Sequence, residues 1–201
     1  MAHDSGTTQV ARLLLPRMLD GTRPAGALQW VSPVAPAVTE AAIGSGHWVA
    51  GRRRRALAAW TAAAGLGLVA WGLGTEAPTR AEADENMERQ KDLLRELGAR
   101  VPATAETRTG LSQRSRDELE ALGSLVRMVF GVRSGLRRPR RATVPAIAGE
   151  SPAVVFYTLR AARAIQRRRP RMAVGSTLVA AGSVARLWAA RREPVNGTPG
   201  R

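Results

Sequence analysis

Ala56–Gly74 reads ALAAWTAAAGLGLVAWGLG and follows directly on a block of four arginines, Arg52, Arg53, Arg54 and Arg55. These nineteen residues carry no charge. As an α-helix they would extend about 28 Å, close to the roughly 30 Å hydrocarbon core of a bilayer. Eleven of the nineteen are Ala or Gly, which add little transfer energy, so insertion stands near balance. Gly65, Gly67, Gly72 and Gly74 tip the reading toward lipid over a buried helix of a soluble bundle. In water each glycine costs a helix about 1 kcal/mol relative to Ala, whereas membrane helices carry Gly readily and use it for close packing. The fold class expected is all-α: a small helical membrane-associated protein with one or two transmembrane helices plus amphipathic helices and no sheet.

Five Trp, two Phe and one Tyr in 201 residues leave Ala, Leu and Val to fill any core, which argues against a large soluble one. Without Cys there is no disulfide framework, thiolate nucleophile or sulfur metal site, and His3 and His47 stand apart from each other. Of 31 basic residues only Lys91 is a lysine. GC-rich bacterial coding inflates Ala, Gly and Arg together, but the charge is real whatever its origin. Residues 76–120 hold eight basic and eleven acidic side chains, leaving 23 basic and five acidic elsewhere. The flanks therefore seek anionic surfaces, either lipid headgroups or nucleic acid.

The chain divides into a polar tail and interfacial segment (1–50), the arginine block with its transmembrane helix (51–75) and a charged helical middle region with a basic end (76–141). A second apolar helical pair (142–191) and a disordered tail (192–201) follow. Near the N-terminus, Leu13, Leu14, Leu15 and Met18 form an apolar patch broken by Pro16, read as a frayed terminus without a signal peptide's features. Between Ala27 and Ala50, Pro36, Glu40 and the Gly44-Ser45-Gly46 run limit any helix to about ten residues. Such a helix would lie at the interface with Trp30 and Trp48 as headgroup-level anchors.

Thr79 and Glu82 have the spacing of a capping box, so a solvated helix starts near Arg80 and stops at Gly98. Ser115 and Glu118 repeat that spacing ahead of Leu119, Leu122, Val126, Val129 and Phe130, which fall on one helical face. Ser151-Pro152 marks a further start, with Pro170 ending that helix. Met172–Ala190 is a second candidate span, whose single charge, Arg186, lies near one end.

Small residues recur at every fourth position: Ala59, Ala63 and Gly67 in the first span; Ala173, Thr177, Ala181 and Ala185 in the second. Such rows let helix backbones approach closely in lipid, so the two helices are expected to pair. A doubling is also visible, in which a Pro-containing apolar segment, an arginine cluster and a long apolar helix occur at 27–74 and again at 142–190. Without residue-level similarity it reads as coincidence.

Arg52, Arg53, Arg54 and Arg55 and, behind the later helix, Arg167, Arg168, Arg169 and Arg171 are the expected membrane-flanking basic residues. Basic residues stay cytoplasmic, which places Arg52–Arg55 inside and the neutral segment 76–120 outside. The arginines from Arg133 to Arg171 should then also be inside, although no clean span lies before them. Three resolutions compete: the Leu119–Val132 helix crosses despite Arg127, the basic region sits outside, or the protein lies on the membrane.

No phosphate loop, zinc-protease helix, nucleophile elbow or calcium loop occurs, so neither enzyme nor cofactor nor small-molecule substrate is expected. Glu40 and Glu150 stand alone in apolar surroundings. The function expected is that of a non-catalytic integral protein of the cell membrane, an anchor, subunit or scaffold acting through helix pairing and arginine-rich surfaces. Its partners are the lipid membrane and a protein partner or a second copy. The competing readings are a soluble or peripheral arginine-rich nucleic-acid-binding protein, which lacks a recognition motif, and a holin-like pore former.

Overall fold

The computed structural model describes residues 6–98 and 144–192, with side-chain surroundings from 13 to 98 and from 151 to 189. Over these residues the Ala-, Leu- and Val-rich stretches form six helices and no strand: α1 (Gly6–Asp20), α2 (Ala27–Val49), α3 (Arg53–Thr75), α4 (Arg80–Glu96), α5 (Val144–Gln166) and α6 (Pro170–Arg192). α2, α3, α5 and α6 have 23 residues each, about 34 Å of helix. They make two antiparallel hairpins, α2–α3 and α5–α6, which meet through α3 and α6. The amphipathic run Leu119–Phe130 and its basic continuation lie outside the described residues.

The α3–α6 contact is antiparallel and built on glycine. A Cβ on Gly65 would stand 2.6 Å from the Gly175 carbonyl oxygen, and one on Gly182 2.8 Å from that of Ala58, so no larger residue fits at this approach. Ala56, Ala59, Ala62 and Met172 are fully enclosed, and Met172 gathers Ala77, Ala164, Ala173 and Leu73 at the α5–α6 turn. The interior is an alanine–glycine seam, which is why so few aromatics suffice.

Several expected boundaries move. α2 runs through Gly44 and Gly46 to Val49, 23 residues where about ten were expected. Gly44 is a packing site: a Cβ there would overlap the indole of Trp60, whose Nε1 donates to the Ala41 carbonyl at 3.3 Å. The stop is Gly51, at φ +73°, with Gly51 N donating to Trp48 O and Arg52 N to His47 O, the paired bonds of a Schellman motif. The N-terminal patch forms α1, carried through Pro16, with Leu13 and Leu19 buried instead of frayed. α5 starts at Val144, before Ser151, and continues through Pro152. α4 has both expected ends. Thr79 Oγ1 accepts from Glu82 N at 3.4 Å and Glu82 Oε2 from Thr79 N at 2.8 Å, while Gly98 closes it at φ +72°.

The doubling read as coincidence is a structural repeat. Each boundary of the second hairpin is that of the first displaced by 117 positions: 27 to 144, 49 to 166, 53 to 170 and 75 to 192. The left-handed turn residues correspond too, Gly51 (φ +73°) with Arg168 (φ +54°). With this register the sequences share Arg52-x-Arg54-x-Ala56 and Arg169-x-Arg171-x-Ala173, then Ala63-Ala64-Gly65 and Ala180-Ala181-Gly182, then Trp71 and Trp188. The contacts repeat in mirror sense: Gly65 lies on Gly175 and Val179, and Gly182 on Ala58 and Ala62. Residue i touching j while the counterpart of j touches that of i is the signature of a two-fold interface. The hairpins are therefore inverted, with their turns at opposite ends of the bundle.

Candidate functional site

The two apolar helices pair, but through positions one or two away from the rows expected. Ala59 and Ala173 are buried and Ala63 is half-buried, whereas Gly67, Thr177, Ala181 and Ala185 are exposed, Gly67 with open space beyond it. The contact row is Ala58, Ala62 and Gly65 against Gly175, Val179 and Gly182. Both rows step by four and then by three. In a stretch so rich in Ala, however, the phase is set by the glycines that permit closest approach.

Where side chains are described, the outer faces of the hairpins carry no charge between the arginines of the turns. No charged residue on α2 is exposed, and none is exposed on α3 after Arg54, on α6 from Met172 to Ala189, or on α5 from Ser151 to Ala162. Apolar side chains take those positions, among them Leu28, Val38, Leu57, Val155, Val174 and Val184. The charges of α2 and α6 between the turns face inward: Glu40 on α2 accepts at 2.6 Å from Arg186, near one end of α6, and Arg186 also reaches Ser183 at 3.3 Å. α4 is the contrast, with Glu82, Asp84, Glu85, Glu88, Arg89 and Asp92 all exposed. Lys91 is buried there, paired with Glu88 at 2.6 Å. By length and composition, α3 and residues Pro170–Ala189 of α6 are long and apolar enough to cross a membrane.

Tryptophan and arginine meet at both ends of this uncharged belt. At the first turn, Arg53 lies over Trp48 at 5.7 Å and Arg54 over Trp188 at 5.8 Å. At the opposite end Arg171 lies over Trp71 at 4.4 Å, and Trp30 packs on Gly74. Trp30 and Trp48 are eighteen positions apart on α2, which puts the two layers about 27 Å from each other. The Arg54–Trp188 and Arg171–Trp71 pairs are counterparts under the repeat.

The two sets of expected flanking arginines thus lie at opposite ends and in different electrostatic settings. Arg52, Arg53 and Arg54 are exposed and Arg55 half-buried, and among the described residues no carboxylate pairs with the first three. At the second turn carboxylates are waiting. Asp20 takes Arg163 at 3.3 Å and lies 3.8 Å from Arg169. Glu76 accepts from the backbone N–H groups of Arg171 and Met172, both at 3.1 Å, and so caps the start of α6 where the helix dipole favours negative charge. Arg17–Asp84 at 3.0 Å ties α1 to α4 above the same turn. Arg167 and Arg168 remain exposed there.

A cavity of about 260 Å³ opens between α2, α3 and α5 near the second turn. Its walls include Arg23, Arg80 and Arg160, with Leu66, Val69 and Leu73 beneath. No local pattern signals it, because the residues come from four separate segments. Among the described residues no three His, Cys, Asp or Glu side chains converge, so no metal site is assigned. Comparison with family models, with curated proteins and with solved structures returns no match.

Proposed function

We propose that this chain is a non-catalytic integral membrane protein, an anchor or scaffold in which two inverted hairpins sit side by side in the bilayer. The observation that carries this reading is the uncharged belt bounded by two tryptophan–arginine layers about 27 Å apart, near the thickness of a hydrocarbon core. A soluble bundle of this size would carry charge on its outer faces, as α4 does, since apolar patches this extended are rare on monomers in water. Arg52–Arg55 mark the cytoplasmic end. The arginines of the second turn lie outside, and Asp20 and Glu76 reduce the charge that would otherwise hold them in. Of the three resolutions left by the sequence, this adopts the second, basic region outside, for its Arg167–Arg171 part only.

The reading has a strict topological consequence. α3 delivers the chain at the second turn and α5 begins at the first, so residues 76–143 must return it to the cytoplasmic face.

Fractionation of membranes tests the reading. The protein is expected to stay in the pellet through alkaline carbonate and to leave only with detergent. Release by high salt, with DNA binding that falls steeply as salt rises, would instead establish the peripheral nucleic-acid-binding reading.

A further inference from the structure

We infer that the cavity between α2, α3 and α5 is a binding site for a phosphate group, either free phosphate or the phosphate of a lipid headgroup. Three of its thirteen lining residues are arginines, Arg23, Arg80 and Arg160, and none is acidic. Arg160 is the central observation: the residue is only 8 % exposed and lines the cavity, yet among the described residues no carboxylate forms an ion pair with it. A buried guanidinium left short of acceptors costs free energy, and phosphate oxygens are the acceptors that match its planar donors. Of the carboxylates at this end, Asp20 is taken by Arg163 and Arg169, Glu76 caps the start of α6 and Asp84 pairs with Arg17.

The repeat sharpens the argument. The counterpart of Glu40 is Tyr157, and that of Arg186 is Val69, and both Tyr157 and Val69 line the cavity. In one cleft between the hairpins an internal carboxylate, Glu40, pairs with Arg186. In the other, Tyr157 stands where the carboxylate would be, an arginine is still present, and space is left. The missing anion is supplied from outside, and Tyr157 and Ser32 add hydroxyl groups to its walls. With three cations and no carboxylate, the lining favours a phosphate over a singly charged carboxylate ligand. The site does not depend on whether the bundle crosses a bilayer.

The test uses the full chain in a neutral detergent, titrated calorimetrically with inorganic phosphate and, separately, with mixed micelles containing phosphatidylglycerol at equal net charge. Saturable binding of one or both is expected at one site per chain, weakened at least about tenfold in Arg160→Gln, the loss of one charge-assisted contact. Arg167→Gln, outside the cavity, should leave it unchanged. Saturation by phosphate alone identifies a free anion as the ligand, and saturation by the lipid alone identifies a headgroup. If Arg160→Gln fails to fold, Tyr157→Phe and Arg23→Gln serve in its place, each expected to weaken binding several-fold. Absence of saturable binding of both probes overturns the inference, as does equal loss in Arg167→Gln.

Discussion

The two hairpins have the same architecture and have diverged where their environments differ. The first turns on Gly51, leaves Arg52, Arg53 and Arg54 without a carboxylate among the described residues and places Glu40 against Arg186. The second turns on Arg168, has its arginines met by Asp20 and Glu76, and places Tyr157 beside an open cavity. What is shared is the seam: positions 58, 62 and 65 and their counterparts 175, 179 and 182 face one another across the two-fold. The seam fixes the backbone, which leaves the turns and clefts free to take different roles. Inverted repeats of this kind recur in membrane transport proteins, where the interface between repeats is the place ligands bind.

The largest difference should appear at the ion pair. Both side chains are about one-fifth exposed, so Glu40→Ala is expected to cost about 3 kcal/mol by leaving Arg186 uncompensated. Adding Arg186→Leu should restore most of that loss. Tyr157→Phe, at the counterpart position, should change the unfolding midpoint little. Equal losses at the two positions would erase the distinction between the clefts.

The seam should respond symmetrically. Gly65→Val and Gly182→Val are each expected to destabilise the protein by about 2 kcal/mol through overpacking. Gly67→Ala, facing open space, should stabilise it by about 0.5–1 kcal/mol. Denaturant unfolding in detergent measures all three, and a large asymmetry between the two valine variants would break the two-fold relation.

The turns should respond with opposite signs. Arg168 has a left-handed backbone that costs a side-chain-bearing residue about 1 kcal/mol, so Arg168→Gly should raise stability by that amount. Gly51→Arg should lower it similarly. The smallest effect lies outside both hairpins, at the start of α4. The Thr79 backbone N–H, and then its hydroxyl, hold the Glu82 carboxyl below its ordinary value of 4.5. A lowered acid pKa stabilises the helix start above pH 4.5 and is lost as pH falls through the lowered value. An NMR titration of the Thr79 amide should therefore show a midpoint below 4.5, absent in Glu82→Gln.

Some of this was legible in the sequence and some was not. The all-helical class, the capping box at Thr79, the stop at Gly98 and both long apolar helices follow from local chemistry that acts within a few residues. The length of α2 does not, because Gly44 looks like a breaker until Trp60 is seen lying on it. The packing rows were out of phase because alanine at every third and fourth position offers several rows of similar quality. The repeat stayed hidden because two-fold packing constrains only the seam and the aromatic ends, and most other positions have changed. The cavity was beyond reach, since Arg23, Arg80 and Arg160 are brought together only by the bundle.

The central claim is that the hairpins are inverted across a bilayer. The chain has no cysteine, so Ala50→Cys and Arg167→Cys, exposed counterparts at the two turns, can each be introduced alone. Sealed vesicles are then treated with a membrane-impermeant maleimide. Labelling of the two positions from opposite faces is the predicted result. Labelling of both from the same face would contradict the account.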